Sequence, residues 1–326
     1  MASADVPAWS TRRNAWSPYN AVSPHPAEAL DLKFSRQEIE ADYAPGRERA
    51  SERPIGELMR VSCALTDEEI ERIAAYKRRS GLRFGEAAVA LRLAQREDVL
   101  AALSQQFQYP VGFLARHEIS AELIAAANPF SEQAEAFREL RTRLLETMDD
   151  GAHPALAVVS PDSGDGKTYL AANLAVAFSQ LGERTLLIDA DIRTPRQHTL
   201  LGVENGVGFS SVLAGFNDVA AAIQVSAVSP ELFLLPAGAV PPNPLELLQR
   251  RRFNALLHDV RREYAHVLID TPAAVRGADC RVIAGRCGAA LVVGRRDRSR
   301  LAPLEGLLEA LDRARVKLAG VVMNEH

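Results

Sequence analysis

Between residues 160 and 168 the chain reads Ser-Pro-Asp-Ser-Gly-Asp-Gly-Lys-Thr, set between an apolar run and a helical pattern at 168–181. No other segment constrains the fold as tightly. Glycines at 164 and 166 let backbone N–H groups turn inward around an anion, and a helix opening near Lys167 adds the positive end of its dipole. Strand, glycine loop and helix in that order are the context in which a Walker A reading stands. The candidate nucleotide-binding residues are therefore Ser163, Gly164, Asp165, Gly166, Lys167, Thr168 and Tyr169. Lys167 is expected to neutralise the β and γ phosphates of ATP, and the Thr168 hydroxyl to ligate Mg²⁺. Pro161 stands where the simplest form of the motif has its first glycine.

Strand-like apolar runs fall at 156–160, 185–188, 232–235, 267–269, 289–293 and 318–323. Helical patterns lie between most of them, notably at 168–181, 245–264 and 304–314. Continuous rather than alternating apolar runs imply strands buried on both faces. The expected fold is α/β, a P-loop NTPase with a mostly parallel sheet flanked by helices. Three carboxylates follow strand ends: Asp189 and Asp191 in Leu-Leu-Ile-Asp-Ala-Asp-Ile-Arg, and Asp270 in Val-Leu-Ile-Asp-Thr-Pro. Ligands of open α/β sheets sit beyond the carboxyl ends of the strands, so all three are expected to converge on the loop as Mg²⁺ ligands and a catalytic base.

At these residues the chain resembles the bacterial tyrosine kinases of exopolysaccharide and capsule synthesis, over roughly residues 128–326. Their second motif, aliphatics then Asp-x-Asp-x-Arg, stands here at 186–193, followed by Thr194-Pro195-Arg196-Gln197-His198. Their Walker B appears at 267–272, with Ala273 replacing a second proline, and their Pro-x-Asn-Pro-x-Glu-Leu-Leu segment at 241–248. The resemblance implies transfer of the γ-phosphate to a tyrosine hydroxyl. Lys167, Asp189, Asp191 and Arg193 are then the catalytic set, and Thr168, Asp189, Asp191 and Asp270 the metal set. Asp189 is taken to polarise the nucleophile, and Asp191 and Asp270 to hold Mg²⁺, although Asp189 and Asp191 can exchange roles. Arg193 orients phosphate or Asp191. Glu135, Arg138 and Arg141 fit the family's Glu-x-x-Arg-x-x-Arg element, which packs subunits into a ring; a solvated charged face is the alternative.

The resemblance also implies a separate, membrane-embedded chain-length regulator as activator, and a tyrosine-rich tail. No tyrosine follows Tyr264, which moves the expected acceptor to Tyr19, Tyr43 or another protein. Two other readings stay open: a regulatory ATPase or scaffold without transfer, and a positioning ATPase of the partition type. The signature lysine of the last class would fall at Asp162.

Residues 1–50, rich in Pro, Ser, Ala and charge, read as a flexible arm. Residues 51–112 read as a small helical module with an internal repeat at an offset of 29 residues, pairing Gly56 with Gly85. Thr66-Asp67-Glu68-Glu69 opens one helix with a capping-box pattern. The module resembles the N-terminal domain of type II secretion and pilus ATPases, some of which bind cyclic di-GMP. Its second unit keeps Arg83, Gly85 and Gln106 but has Arg92 at an internal glycine position. Its first keeps Gly56 but has Pro54, Cys63 and Lys77 elsewhere in the pattern, so dinucleotide binding stands beside a docking or packing role. Residues 113–130 read as a linker, and 131–326 as the P-loop domain, opened by a helix at 132–148 capped by Ser131.

The formal charge of -4 gives no general pull toward nucleic acid or an anionic membrane. Cys63, Cys280 and Cys287 fit neither a disulfide framework nor a zinc site and read as free thiols of a cytoplasmic chain. No apolar run approaches the roughly 20 residues that span a bilayer, so membrane attachment is expected only through a partner.

Overall fold

The computed structural model of the chain describes residues 55–95, 98, 99, 102, 120–148 and 155–325. The arm at 1–50, with Tyr19 and Tyr43, as well as Pro54, Gln106 and residues 113–119 of the expected linker, lie outside the described residues.

The helical module contains α1 (Ile55–Ser62), α2 (Asp67–Ser80) and α3 (Phe84–Ala90). Thr66 starts α2 as expected: its hydroxyl accepts the Glu69 N–H, and the Glu69 carboxylate accepts the Thr66 N–H at 2.9 Å. Met59, Leu65, Ile73, Ala87, Ala88 and Ala102 form its core. The repeated glycines hold matching places in the first turns of α1 and α3. Gly56 faces the Phe84 ring, and a Cβ on Gly85 would fall 2.2 Å from Val99. Both glycines permit close helix packing.

The second unit begins with α4 (Ile124–Ala127) and α5 (Glu132–Met148). Ser131 caps α5 by accepting the Ala134 N–H at 3.2 Å. Residues 120–130, read from sequence as the end of a linker, instead form a strap packed on the helix after the glycine loop, α6 (Lys167–Ser179). Leu123 is fully buried there. Asn173, buried in mid-α6, accepts the Ala125 N–H at 2.9 Å and donates to the Glu122 carbonyl at 2.8 Å. These bonds satisfy backbone groups that an unpaired buried strap would leave bare.

Around α6 run β1 (Ala155–Val159), β2 (Thr185–Asp189), α7 (Gln197–Leu201), α8 (Phe209–Ala214), α9 (Val219–Ala222), β3 (Gln224–Val225) and β4 (Leu232–Leu235). They are followed by α10 (Pro244–Gln249), α11 (Arg251–Glu263), β5 (His266–Asp270), α12 (Asp279–Cys287), β6 (Gly288–Arg295), α13 (Leu301–Arg313) and β7 (Lys317–Asn324). The sheet order is β3-β4-β2-β5-β1-β6-β7, parallel except for the two-residue edge strand β3.

Strand periodicity splits the core in two. Ala155, Ala157, Val159, Leu186 and Ile188 face Phe209, Phe253 and Leu257 on one side. Leu156, Val158, Leu187 and Leu234 face α6 on the other. Every residue of α6 except Thr168 and Tyr169 is buried, which marks it as the central helix, covered by sheet and by α5. The continuous helix expected over 245–264 is broken at Arg250, whose backbone is extended. The freed Gln249 carbonyl accepts a 2.6 Å bond from Arg286. The three cysteines are free thiols, and no described helix is long and apolar enough to cross a membrane.

Candidate functional site

The loop after β1 is shaped from behind. Ser160 Oγ donates to the Asp162 carbonyl at 2.7 Å, the Asp162 N–H donates to Asp165 Oδ2 at 2.8 Å, and Ser299 Oγ donates to Asp165 Oδ1 at 2.9 Å. Asp165 is fully buried, so its carboxylate braces the loop rather than facing a ligand. Gly164 and Gly166 have φ of 85° and 98°, the left-handed region that a side chain resists. A Cβ on Gly166 would also fall 2.1 Å from Asn324 Nδ2 at the end of β7. Pro161 needs no such freedom: its φ is not positive, and its carbonyl accepts the Val275 N–H at 3.0 Å. The missing first glycine therefore leaves the loop's geometry intact. Ala273 is equally undisturbed, with φ -66° and ψ 147°, a conformation proline would also adopt.

Lys167 opens α6 and is buried, with Gly166 at the helix cap. Its charge pulls the Asp270 carboxyl down, against the larger upward push of burial. Tyr169, grouped with the loop on sequence grounds, turns its ring away and packs edge-on against Phe137 of α5 at 5.8 Å.

Asp189 and Asp270 are direct neighbours across the paired strands β2 and β5. Asp189 is fully buried. Its Oδ1 accepts the Asp191 N–H at 3.2 Å, and its Oδ2 accepts the N–H groups of Arg196 and Gln197, each at 3.0 Å. Burial and the neighbouring Asp270 push its pKa well above the usual carboxylate range. Burial likewise pushes Asp270 up to about 6. Asp270 Oδ2 accepts Gln197 Nε2 at 2.9 Å, while its Oδ1 is buried with no hydrogen-bond partner among the described residues. Asp191 is only half-buried. It holds the start of the following loop, accepting the N–H groups of Arg193 and Thr194 and the Thr194 hydroxyl.

Arg193, expected to orient phosphate or Asp191, bonds Asp191 through its backbone N–H at 3.2 Å, while its side chain is held elsewhere. Its guanidinium grips Asp279 at the start of α12, with Nε to Oδ2 at 2.6 Å and Nη2 to Oδ1 at 3.3 Å. Asp279 is 1% exposed, so the pair is anchored on a buried carboxylate. Sequence reasoning missed two residues that matter here. Gln197 donates to both the Thr168 carbonyl, at 3.0 Å, and Asp270, and so ties the glycine loop to both carboxylates. Asp279 holds the outer end of the Asp191 loop. Gln197 lay in a quoted run of residues, but nothing local signals where its amide points.

The Glu135, Arg138 and Arg141 stripe is spread between exposed and inward positions. Arg138 Nε donates to Glu135 at 2.8 Å and its Nη1 to the Pro129 carbonyl at 2.7 Å. Arg141 donates to the Ala177 carbonyl at 2.6 Å, while Glu135 stays exposed.

This geometry can hold a polyphosphate in the loop and present carboxylates beside it. Residues 156–326 match the family described as the CobQ/CobB/MinD/ParA nucleotide binding domain. Tyrosine-protein kinase YwqD of Bacillus subtilis is 36% identical over 205 residues, 62% of this chain and 85% of that protein. The chain belongs to this family, in its bacterial tyrosine-kinase branch. Another member, tyrosine-protein kinase wzc of Salmonella typhi, is 37% identical over 203 residues, and the chain spans 28% of its length. The kinase domain of Escherichia coli tyrosine kinase ETK superposes with a TM-score of 0.60 at 29% identity, over 66% of this chain and 87% of that structure. Residues 156–326 are thus a nucleotide-binding domain of the family fold.

Proposed function

We propose that this chain is an ATP-dependent protein-tyrosine kinase of exopolysaccharide synthesis. The observation that carries the reading is the join made by Gln197, which bonds the glycine loop and Asp270 through its side chain and Asp189 through its N–H. The phosphate cradle and the acidic wall are one preorganised surface, and phosphoryl transfer depends mainly on positioning and charge neutralisation. Similarity to tyrosine kinases supports a tyrosine hydroxyl as acceptor.

In this reading Lys167 and the loop N–H groups hold the β and γ phosphates of ATP. The residues present fit Mg²⁺: Asp270 Oδ1 is a buried acceptor in need of a partner, and the Thr168 hydroxyl and Asp191 complete a hard oxygen set. Among the described residues no cluster of three or more His, Cys, Asp or Glu would hold a metal unaided, which suits an ion that takes much of its shell from water and phosphate. Bound there, Mg²⁺ supplies charge neutralisation on the transferred phosphoryl group. We assign Asp191 to polarise the tyrosine hydroxyl, because it is the accessible carboxylate. Asp189, sealed under three N–H donors, shapes the loop that carries it.

The same proposal includes activation by a membrane-embedded chain-length regulator on a separate chain, which would hold the protein peripherally at the inner membrane. It also includes ring-like self-association through the outward part of the Glu135 stripe. For the helical module, the use of Gly56 and Gly85 in helix contacts supports docking or packing over cyclic di-GMP binding.

The test is to incubate the full chain with MgATP and the cytoplasmic segment of a chain-length regulator, then map phosphotyrosine by mass spectrometry. Phosphotyrosine is expected with the wild type and none with Lys167→Met. ATP binding with no phosphotyrosine in either would replace the kinase by an ATPase scaffold.

A further inference from the structure

Three arginines gather on the outer lip of the glycine loop. Arg276, from the turn after β5, donates through Nε to Ser163 Oγ at 3.4 Å. Arg295, at the end of β6, donates through Nη1 to the Gly164 carbonyl at 3.3 Å. The Arg298 guanidinium lies 3.4–3.6 Å from where a Cβ on Gly164 would stand. Among the described residues none of these three is paired with a carboxylate, whereas the neighbouring Arg296 is paired with Glu325. Arg276 and Arg298 are exposed.

The side of the loop they occupy decides what they read. A phosphate-binding loop turns its N–H groups toward the anion and its carbonyls away from it. Arg295 rests on a carbonyl and Arg276 on the hydroxyl of exposed Ser163, so the cluster lies outside the cradle. ATP held by Lys167 leaves these charges uncompensated. A second anionic group arriving from solvent would meet them on the outer face of the loop.

The sequence supplies a segment of the complementary charge. Three of the five residues before Tyr43 are acidic, Glu38, Glu40 and Asp42. No other tyrosine of the chain has such a flank: residues 14–24 around Tyr19 carry no charge, residues 103–110 around Tyr109 carry none, and Tyr76 has one acidic residue, Glu71, among the five before it, next to Arg72. Tyr169 and Tyr264 are packed into the fold. We propose that Arg276, Arg295 and Arg298 form a docking lip for the acidic segment 38–42 of a second copy of the chain, which presents Tyr43 to the γ-phosphate. This rests on the kinase reading for its outcome, but the docking itself does not require transfer.

Two measurements on the full chain separate the two claims. In the first, a fluorescent peptide of residues 35–45 is titrated by anisotropy into the chain saturated with MgADP. Arg276→Glu with Arg298→Glu is expected to weaken binding by about tenfold, as raised salt also should, since exposed ion pairs are individually weak and screened. A peptide with Ala at 38, 40 and 42 should bind as poorly as the wild-type peptide does to the double variant. Unchanged peptide affinity in that variant, or a loss of affinity for a fluorescent ATP analogue, would overturn the docking lip. In the second, wild-type chain is mixed with Lys167→Met chain under the transfer conditions above. Phosphate on Tyr43 but not Tyr19 of the Lys167→Met copy is expected, and the double variant as enzyme should reduce it about tenfold. Phosphate on Tyr19 instead would overturn the lip while leaving the kinase standing. Peptide docking with no phosphotyrosine anywhere would retain the lip and sink the kinase.

Discussion

The two walls of the cleft are built in opposite ways. On the β2 and β5 side, Asp189 and Asp270 are buried, and every oxygen but one has a named donor. On the lip at Ser163 and Gly164, the arginines are reached by solvent and touch the loop through single, long contacts. The buried wall has its geometry determined before any substrate arrives, which suits groups that act on developing charge. The exposed lip has charge but little fixed geometry, which suits recognition that must tolerate a moving chain. Substitutions in the first should therefore alter turnover or stability, and substitutions in the second should alter apparent affinity.

The largest test of this division lies within the acidic wall itself. Asp191→Asn is expected to lower kcat by about 10²–10³-fold, as loss of a positioned base does, with a smaller fall in melting temperature than Asp189→Asn because Asp191 is only half-buried. Asp189→Asn should behave differently. It puts an amide among three N–H donors, so one of its ends faces donors with another donor, which costs about 1–3 kcal/mol of stability. Thermal melts and single-turnover transfer assays on both variants decide the matter. A stable, inactive Asp189→Asn beside an active Asp191→Asn would reverse the assigned roles.

A second test uses pH. The carboxyl of Asp270 is raised by burial to about 6, above the value it has in an unfolded chain. The folded state therefore binds more protons between roughly pH 4 and 6, and an acid raised in this way costs stability above its folded pKa. Without nucleotide or metal, the protein should gain stability as pH falls from about 7.5 toward 5.5. The gain from Asp270 over that window is about 1 kcal/mol, since a tenfold change in proton affinity is worth about 1.4 kcal/mol and only the upper part of its titration lies above pH 5.5. Asp270→Asn removes the charge while keeping an acceptor for Gln197. Its melts should be flatter over that window, and an equally steep pH dependence would place the proton elsewhere.

What was legible in the sequence was what is contiguous in it. The strand, glycine loop and helix at 155–179 are neighbours along the chain, and their local pattern determines their local structure. The buried strands show as apolar runs for the same reason. The break at Arg250 was partly legible too: apolar positions 247 and 248 are followed by 253, 256, 257 and 260, so the helical period slips across three arginines. The strap at 120–130 was hidden because its polar backbone is satisfied by Asn173, roughly fifty residues away. Gln197 to Asp270 and Arg193 to Asp279 span 73 and 86 residues. Such pairings follow from strand order, which no single segment encodes.

The smallest expected effect concerns that last pair and the outer edge of the buried wall. Arg193 holds Asp279 through two nitrogens in a planar fork, and its N–H holds Asp191. Lysine at 193 keeps the charge and the backbone bond but offers a point charge instead of the fork. The loop would then be tethered by one contact, with more freedom at Asp191. Arg193→Lys is expected to lower kcat about three- to tenfold, since small misplacement of a catalytic group is felt in the transition state, with KM for ATP unchanged. Asp279→Asn should produce a similar split, because it acts on the same tether from the opposite end. If Arg193 instead touched phosphate directly, Arg193→Lys would raise KM for ATP while Asp279→Asn would leave it alone. Steady-state kinetics of the two variants side by side therefore distinguish a residue that positions Asp191 from one that binds substrate.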